Sequence, residues 1–166
     1  MATAAKAKES LERIYRFVLK DKWGFSSIPP AQDFVGFGKA LLVCANGDGK
    51  LAPAEREWVL GYLATGGASD AVLAELNTYA AKDDIVKLVA ATPSVAASSR
   101  AVIFHAIAAC AADGDLSSGE RKTVVRMAGA LGVSEDGVKQ IERAYVAERR
   151  AVADKIKVVF PNGSPF

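Results

Sequence analysis

Two short acidic turns are the residues of this sequence best suited to chemistry. Both follow the pattern Asp-Gly-x-Leu-x-x-x-Glu-Arg, which begins once at Asp48 and again at Asp113. A glycine after the aspartate allows a sharp bend, often with positive φ. The glutamate, seven residues after the aspartate, falls in the first turn of the next predicted helix. The spacing therefore lets the aspartate and glutamate of each turn meet at one point beside a helix N-terminus.

Oxygen ligands with this spacing match the second half of an EF-hand calcium loop. Asp48 and Asp113 would take the fifth position of that loop, and Glu55 and Glu120 the twelfth, where a bidentate carboxylate binds Ca²⁺. The first and third positions hold a cysteine and an asparagine in one copy and two alanines in the other. A standard EF-hand pair is therefore excluded. Backbone carbonyls, water or carboxylates from elsewhere must complete any cation site.

Helix capping explains the same residues without an ion. Ser117 to Glu120 has the spacing of a capping box, in which the serine and the glutamate satisfy free N–H groups at a helix start. In the first copy, Pro53 and Glu55 suit a helix N-terminus, where the helix dipole favours an acidic residue by about 0.3 to 1 kcal/mol. Cation binding and capping both remain open, because a duplicated helix also duplicates its cap.

The two turns belong to a duplicated helical unit. A shift of 65 positions aligns eight identical residues between positions 48 and 70 and their counterparts, without a gap. Each copy reads as a helix, an Asp-Gly turn, a second helix, a glycine stop and a serine-capped helix. We expect two such units, about residues 34–80 and 99–144, packed around a pseudo-twofold axis.

The sequence pattern is helical throughout, since apolar residues recur at intervals of three and four. It predicts an all-α, single-domain bundle of about seven or eight helices. Residues 1–22 form an N-terminal amphipathic helix, 23–160 the helical domain and 161–166 a tail. The further helices are expected at about 31–45, 53–65, 69–80, 83 or 84 to 91, 95–112, 118–131 and 135–159. Ser69 is expected to cap the fourth helix, and Asp83 or Asp84 opens the fifth.

Composition excludes several classes of protein. The chain has 166 residues, 51% of them hydrophobic, and a net charge of 21 − 19 = +2. This length suits one domain, and the small charge disfavours a strongly basic nucleic-acid binder. Neither a secretory signal nor an apolar stretch of about 20 residues is present, so we expect a cytoplasmic protein without a membrane partner. Cys44 and Cys110 read as small buried residues of a reducing compartment, although their spacing leaves a disulfide open.

Two other functions compete with an ion site. His105 is the only histidine, which argues against a zinc site, and it is expected in the core or at an interface with one hydrogen-bond partner. A helical carrier or enzyme would instead use an apolar pocket between the two halves, with His105 or Tyr62 orienting a small molecule. A protein-interaction domain would work through the amphipathic first helix or the basic last helix and bind a protein partner.

The repeated turn resembles that of the tellurite-resistance TerB-like domain. The resemblance rests on Ala-x-x-Asp-Gly-x-Leu-x-x-x-Glu, as in Ala45 to Glu55, and on its second copy, in which Cys110 replaces the leading alanine. It covers roughly residues 34–144. It implies an all-helical fold of about seven helices with internal pseudo-symmetry, acidic residues that hold divalent cations, and a stress-associated module without catalysis of its own.

Transferred to this sequence, the resemblance implies Asp48, Glu55, Asp113 and Glu120 as metal ligands, with Asp115 and Asn46 as neighbours that can join them. Because all these donors are oxygens, Ca²⁺ is the favoured ion. Lys50 stands where the second copy has Asp115, which weakens the negative field of the first turn. The expected function is thus a non-catalytic module that binds Ca²⁺ through its duplicated turns.

Overall fold

The computed structural model describes residues 2–26 and 31–163. Over these residues the chain forms nine α-helices and a short 3-10 helix, and no strand occurs. The α-helices are α1 (Ala2–Trp23), α2 (Ala31–Ala45), α3 (Pro53–Thr65), α4 (Asp70–Thr78), α5 (Ile85–Ala90), α6 (Pro93–Ala97), α7 (Ser99–Cys110), α8 (Ser118–Ala130) and α9 (Glu135–Val159). The all-α prediction is confirmed. Residues 27–30, between the first two predicted helices, and residues 164–166 of the predicted tail lie outside the described residues.

One predicted helix is divided in the structure. The sequence predicts a single helix over 95–112, but α6 ends at Ala97 and α7 begins at Ser99. Ser98 between them leaves the helical region, with φ −115° and ψ 32°, and its hydroxyl donates to the carbonyl of Ser94 at 3.0 Å. Such local side-chain bonds offer the backbone an alternative to continuous helix. The C-terminal end of the predicted helix forms the 3-10 helix Ala111–Asp113.

Three helix starts follow the predicted caps. The Ser69 hydroxyl accepts a hydrogen bond from the backbone of α4, and the Ser134 hydroxyl accepts one from α9. Asp84 caps α5 by accepting from two successive N–H groups, each at 3.0 Å. Serine and aspartate are preferred at this position because they satisfy donors that have no partner within the helix.

The centre of the core is formed by α2 and α7, which pack against each other. From residue 40 to 45 every side chain of α2 is buried, as is every residue of α7 from 105 to 110. A helix that is apolar on all sides must be surrounded by other elements. The helices α3, α4, α5 and α8 pack around α2, and α9 covers α7. No helix among the described residues is long and apolar enough to cross a membrane.

The two Asp-Gly turns come together because each copy places its turn after one of these central helices. A Cβ atom added to Gly47 would lie 2.7 Å from the Cα atom of Glu120. A Cβ atom added to Gly119 would lie 2.8 Å from the Cα atom of Asp48. The first turn thus packs directly on the N-terminus of α8. The element order of the two copies agrees with the predicted duplication, whereas the pseudo-twofold axis remains a prediction.

This close approach predicts opposite effects for two glycine substitutions in α8. Gly119→Ala would push a methyl group into the backbone of the first turn, and we expect a loss of about 1 to 3 kcal/mol in the free energy of unfolding. Gly129→Ala is the matched control, because the space beside Gly129 is open and alanine is the better helix former by about 0.8 to 1 kcal/mol. Urea unfolding of both variants measures the difference. Equal stability of the two would contradict the packing of the turn on α8.

Candidate functional site: a buried carboxyl pair between two turns

The aspartate of each turn forms a hydrogen bond within its own turn. Asp48 Oδ1 accepts a hydrogen bond from the N–H of Lys50 at 2.8 Å, and Asp113 Oδ1 accepts one from the N–H of Asp115 at 3.2 Å. The glycine within each turn has the predicted positive φ, 89° at Gly49 and 108° at Gly114. Side chains that bond two residues ahead stabilise a tight turn. Both aspartates are exposed to solvent.

The glutamates of the two turns are buried and cap the helices that follow. Glu55 is 1% exposed and Glu120 is 4% exposed. Glu55 Oε2 accepts a hydrogen bond from the N–H of Ala52, and Glu120 Oε2 accepts one from the N–H of Ser117, both at 2.6 Å. The Ser117 hydroxyl accepts in return from the N–H of Glu120 at 3.2 Å, which completes a capping box. The capping interpretation is therefore confirmed for both glutamates.

These two carboxyl groups also meet each other. The side chains of Glu55 and Glu120 lie within hydrogen-bonding reach across the boundary between the copies. Burial, the hydrogen bond to Glu120 and the charges of Glu120 and Asp113 together raise the pKa of Glu55 to about 8, against the lowering effect of the Ala52 N–H. Two carboxylates cannot both be charged in a buried site without a counter-charge. The pair therefore retains a proton over much of the neutral range when no cation is present.

The arginine that follows each glutamate in the motif does not neutralise the pair. Arg56 donates to the backbone carbonyls of Leu76 and Tyr79, at 2.7 and 3.0 Å. Arg121 forms a two-pronged ion pair with Glu142 of α9, with N–O distances of 2.5 and 2.6 Å. Each arginine thus fastens its helix to a neighbouring helix. The buried carboxyl groups are left without a cationic side chain of their own motif.

The cysteines next to the pair are not ligands in their protonated form. Cys44 and Cys110 are both free and buried, so the disulfide that the spacing left open is not formed. Burial raises the pKa of both thiols far above the neutral range, and the negative charge of Glu120 adds to this shift. A thiol binds metals as the thiolate, which this environment disfavours. The prediction of small buried residues is confirmed.

The structure thus separates the predicted ligands into two groups. Glu55 and Glu120 converge, whereas Asp48, Asp113 and Asp115 lie on the exposed rim of the turns. Asp115 Oδ1 accepts from the N–H of Leu116 at 2.8 Å within its own turn. Among the described residues, no three His, Cys, Asp or Glu side chains are grouped closely enough to hold a metal ion.

Asn46, the predicted neighbouring donor, has a different partner. Its side-chain amide donates to the carbonyl of Ala81 at 3.0 Å. Ala81 has positive φ, 55°, which is uncommon for a residue other than glycine. Asn46 therefore fastens the loop between α4 and α5. Asn46 and Ala81 are 35 positions apart in sequence, so the spacing of the motif does not predict this hydrogen bond.

A separate cavity of about 730 Å³ lies between α1, α2, α3, α6 and α7 and reaches His105. His105 is buried, as predicted, and its Nδ1 lies 2.7 Å from the carbonyl oxygen of Ala101. The ring centroids of Trp23 and Tyr62 lie 4.9 and 4.3 Å from the centroid of the imidazole ring. These aromatic rings pack around His105 and leave an open space beside them.

Comparison with known proteins agrees with this architecture. No protein-family model matches the sequence, and no curated protein matches it. A solved structure of a tellurite resistance protein from Nostoc punctiforme superimposes with a TM-score of 0.85. The two sequences are 31% identical, and the match covers 94% of this chain and 98% of the other. The chain therefore belongs to the tellurite-resistance TerB-like family, as its repeated turns predicted.

Proposed function

We propose that this protein is a non-catalytic module that binds a divalent cation, Ca²⁺, at the Glu55–Glu120 pair. The observation that carries the proposal is the burial of two facing carboxyl groups with no cationic side chain of their motif beside them. Such a pair needs either a proton or a cation. A bound Ca²⁺ replaces the proton and removes the cost of burying like charges.

The two glutamates supply only part of the ligands that Ca²⁺ needs. Capping uses Oε2 of each glutamate, so Oε1 of each remains for another partner. Besides Glu120, the negative charge of Asp113 also acts on Glu55 and raises its pKa. Ca²⁺ takes six to eight oxygen ligands. Binding therefore requires Asp113 to turn inward and backbone carbonyls or water to supply the remaining oxygens.

The biological role that we propose follows from the related protein. That protein is described as a tellurite resistance protein, and we propose a stress-associated role in the cytoplasm for this chain as well. No nucleic acid or membrane is required for that role, and a protein partner completes it. The test uses a tellurite-sensitive bacterium. Its growth in tellurite is compared when it expresses the wild-type chain and when it expresses the Glu120→Gln variant, which measures the link between the carboxyl pair and resistance.

Calcium binding should depend on pH because protons compete for the same carboxyl groups. We expect calorimetric titration to give tighter binding at pH 8.5 than at pH 6, with protons released on binding. Glu120→Gln should weaken binding at least tenfold while it keeps the helix cap, since glutamine also serves at this position. Glu135→Gln, at the exposed start of α9, is the matched control and should bind as the wild type does. The absence of binding heat at pH 8.5, with no rise in melting temperature, would refute the proposal.

The same pair predicts how stability depends on pH without metal. The pKa of Glu55 is raised in the folded state, so its contribution to stability is complete below its ordinary pKa and is lost as the pH rises towards 8. In Glu120→Gln, the amide can donate to the Glu55 carboxylate and lower its pKa. We therefore expect the melting temperature of the wild type, in a chelator, to fall relative to that of this variant between pH 5 and 8.5. Parallel curves would show that the carboxyl groups do not share a proton.

A further inference from the structure

The cavity beside His105 is partly open to solvent, since Glu57, Gly61 and Thr65 in its lining are exposed. At about 730 Å³ this cavity lies within the range of about 300 to 1,000 Å³ that holds small-molecule ligands. Its walls come from five helices, and they include both tryptophans of the chain, Trp23 and Trp58. None of its lining residues belongs to the carboxyl pair.

The walls offer aromatic surface and few free hydrogen-bonding groups. Trp58 and Tyr62 are stacked, with ring centroids 5.4 Å apart and planes 7° apart. The Tyr62 hydroxyl lies within hydrogen-bonding reach of the Trp23 side chain, and burial raises its pKa to about 12, so it stays neutral. The Ser98 hydroxyl is bonded to the Ser94 carbonyl. A ligand would therefore be held mainly by its apolar surface.

The charge of the lining selects among apolar ligands. Glu57 is exposed and is the one charged side chain among the described residues that line the cavity, and neither lysine nor arginine lines it. A carboxylate at this place repels an anionic head group such as that of a fatty acid and attracts a cationic one. The faces of the aromatic rings also attract cations, most strongly at tryptophan.

We propose that this cavity binds an apolar ligand with one cationic ammonium end. The apolar part lies among Trp23, Phe37 and Tyr62, and the ammonium group lies near Glu57 and the stacked Trp58. This site is distinct from the proposed cation site and does not depend on it. A failure of calcium binding leaves this inference intact, and the reverse also holds.

Three probes with the same alkyl chain test the proposal: octyltrimethylammonium, octanol and octanoate. Because both tryptophans line the cavity, tryptophan emission of the full chain reports occupancy directly. We expect a saturable change, with octyltrimethylammonium binding about fivefold more tightly than octanol and octanoate binding most weakly. Glu57→Gln should reduce the affinity for octyltrimethylammonium about fivefold and leave that for octanol unchanged. No saturable change with any probe, or equal affinities for octanoate and octyltrimethylammonium, would overturn the inference.

A glycine in the wall allows the cavity to be filled without a clash. Gly61 lines the cavity within α3, and the space beside its Cβ position is open. Gly61→Leu should keep the fold and reduce binding of octyltrimethylammonium at least tenfold. Gly129→Leu, in open space on α8, is the matched control and should bind as the wild type does. If circular dichroism shows that Gly61→Leu is unfolded, Ala101→Leu fills the cavity from α7 instead. Wild-type affinity in a folded cavity-filling variant would refute the site.

Discussion

The packing of the core brings two buried glutamates together, and no basic side chain of their motif neutralises them. Each glutamate is fixed by a hydrogen bond to the backbone at the start of its own helix, so neither can turn away without losing that cap. Their helices follow the two central helices of the core, whose packing sets how far apart the turns lie. The carboxyl groups are thus held together by elements that are stabilised for other reasons, namely apolar burial and capping.

Glycine makes this arrangement sterically feasible. Gly47 and Gly119 lie where the first turn approaches α8, and at both positions a side chain would meet backbone atoms that cannot move independently. The arginines of the motif are used elsewhere, on backbone carbonyls and on Glu142, so the site keeps its negative character. Because both arginines point away from the carboxyl pair, the pair needs either a cation or a proton.

The helix α3 takes part in both candidate sites but uses different ends for each. Its first turn carries Glu55, and its later turns carry Trp58, Gly61 and Tyr62, which face the aromatic cavity. The chemistry of the two regions differs accordingly. One consists of carboxyl oxygens that favour a small hard cation, and the other consists of ring faces and carbon surface that favour an apolar molecule.

The sequence alone determined the all-α class, most helix boundaries, the capping serines and the capping positions of Glu55 and Glu120, because these depend on periodicity and on contacts within a few residues. The sequence could not place the break at Ser98. There the serine hydroxyl bonds to the Ser94 carbonyl and the helix is interrupted, although the apolar pattern continues through it. Whether the five candidate carboxylates converge depended on packing between α2, α3, α7 and α8, which joins residues about 65 positions apart. Only the tertiary structure paired the two glutamates, left the aspartates on the rim and opened the cavity beside His105, since these follow from how whole helices approach each other.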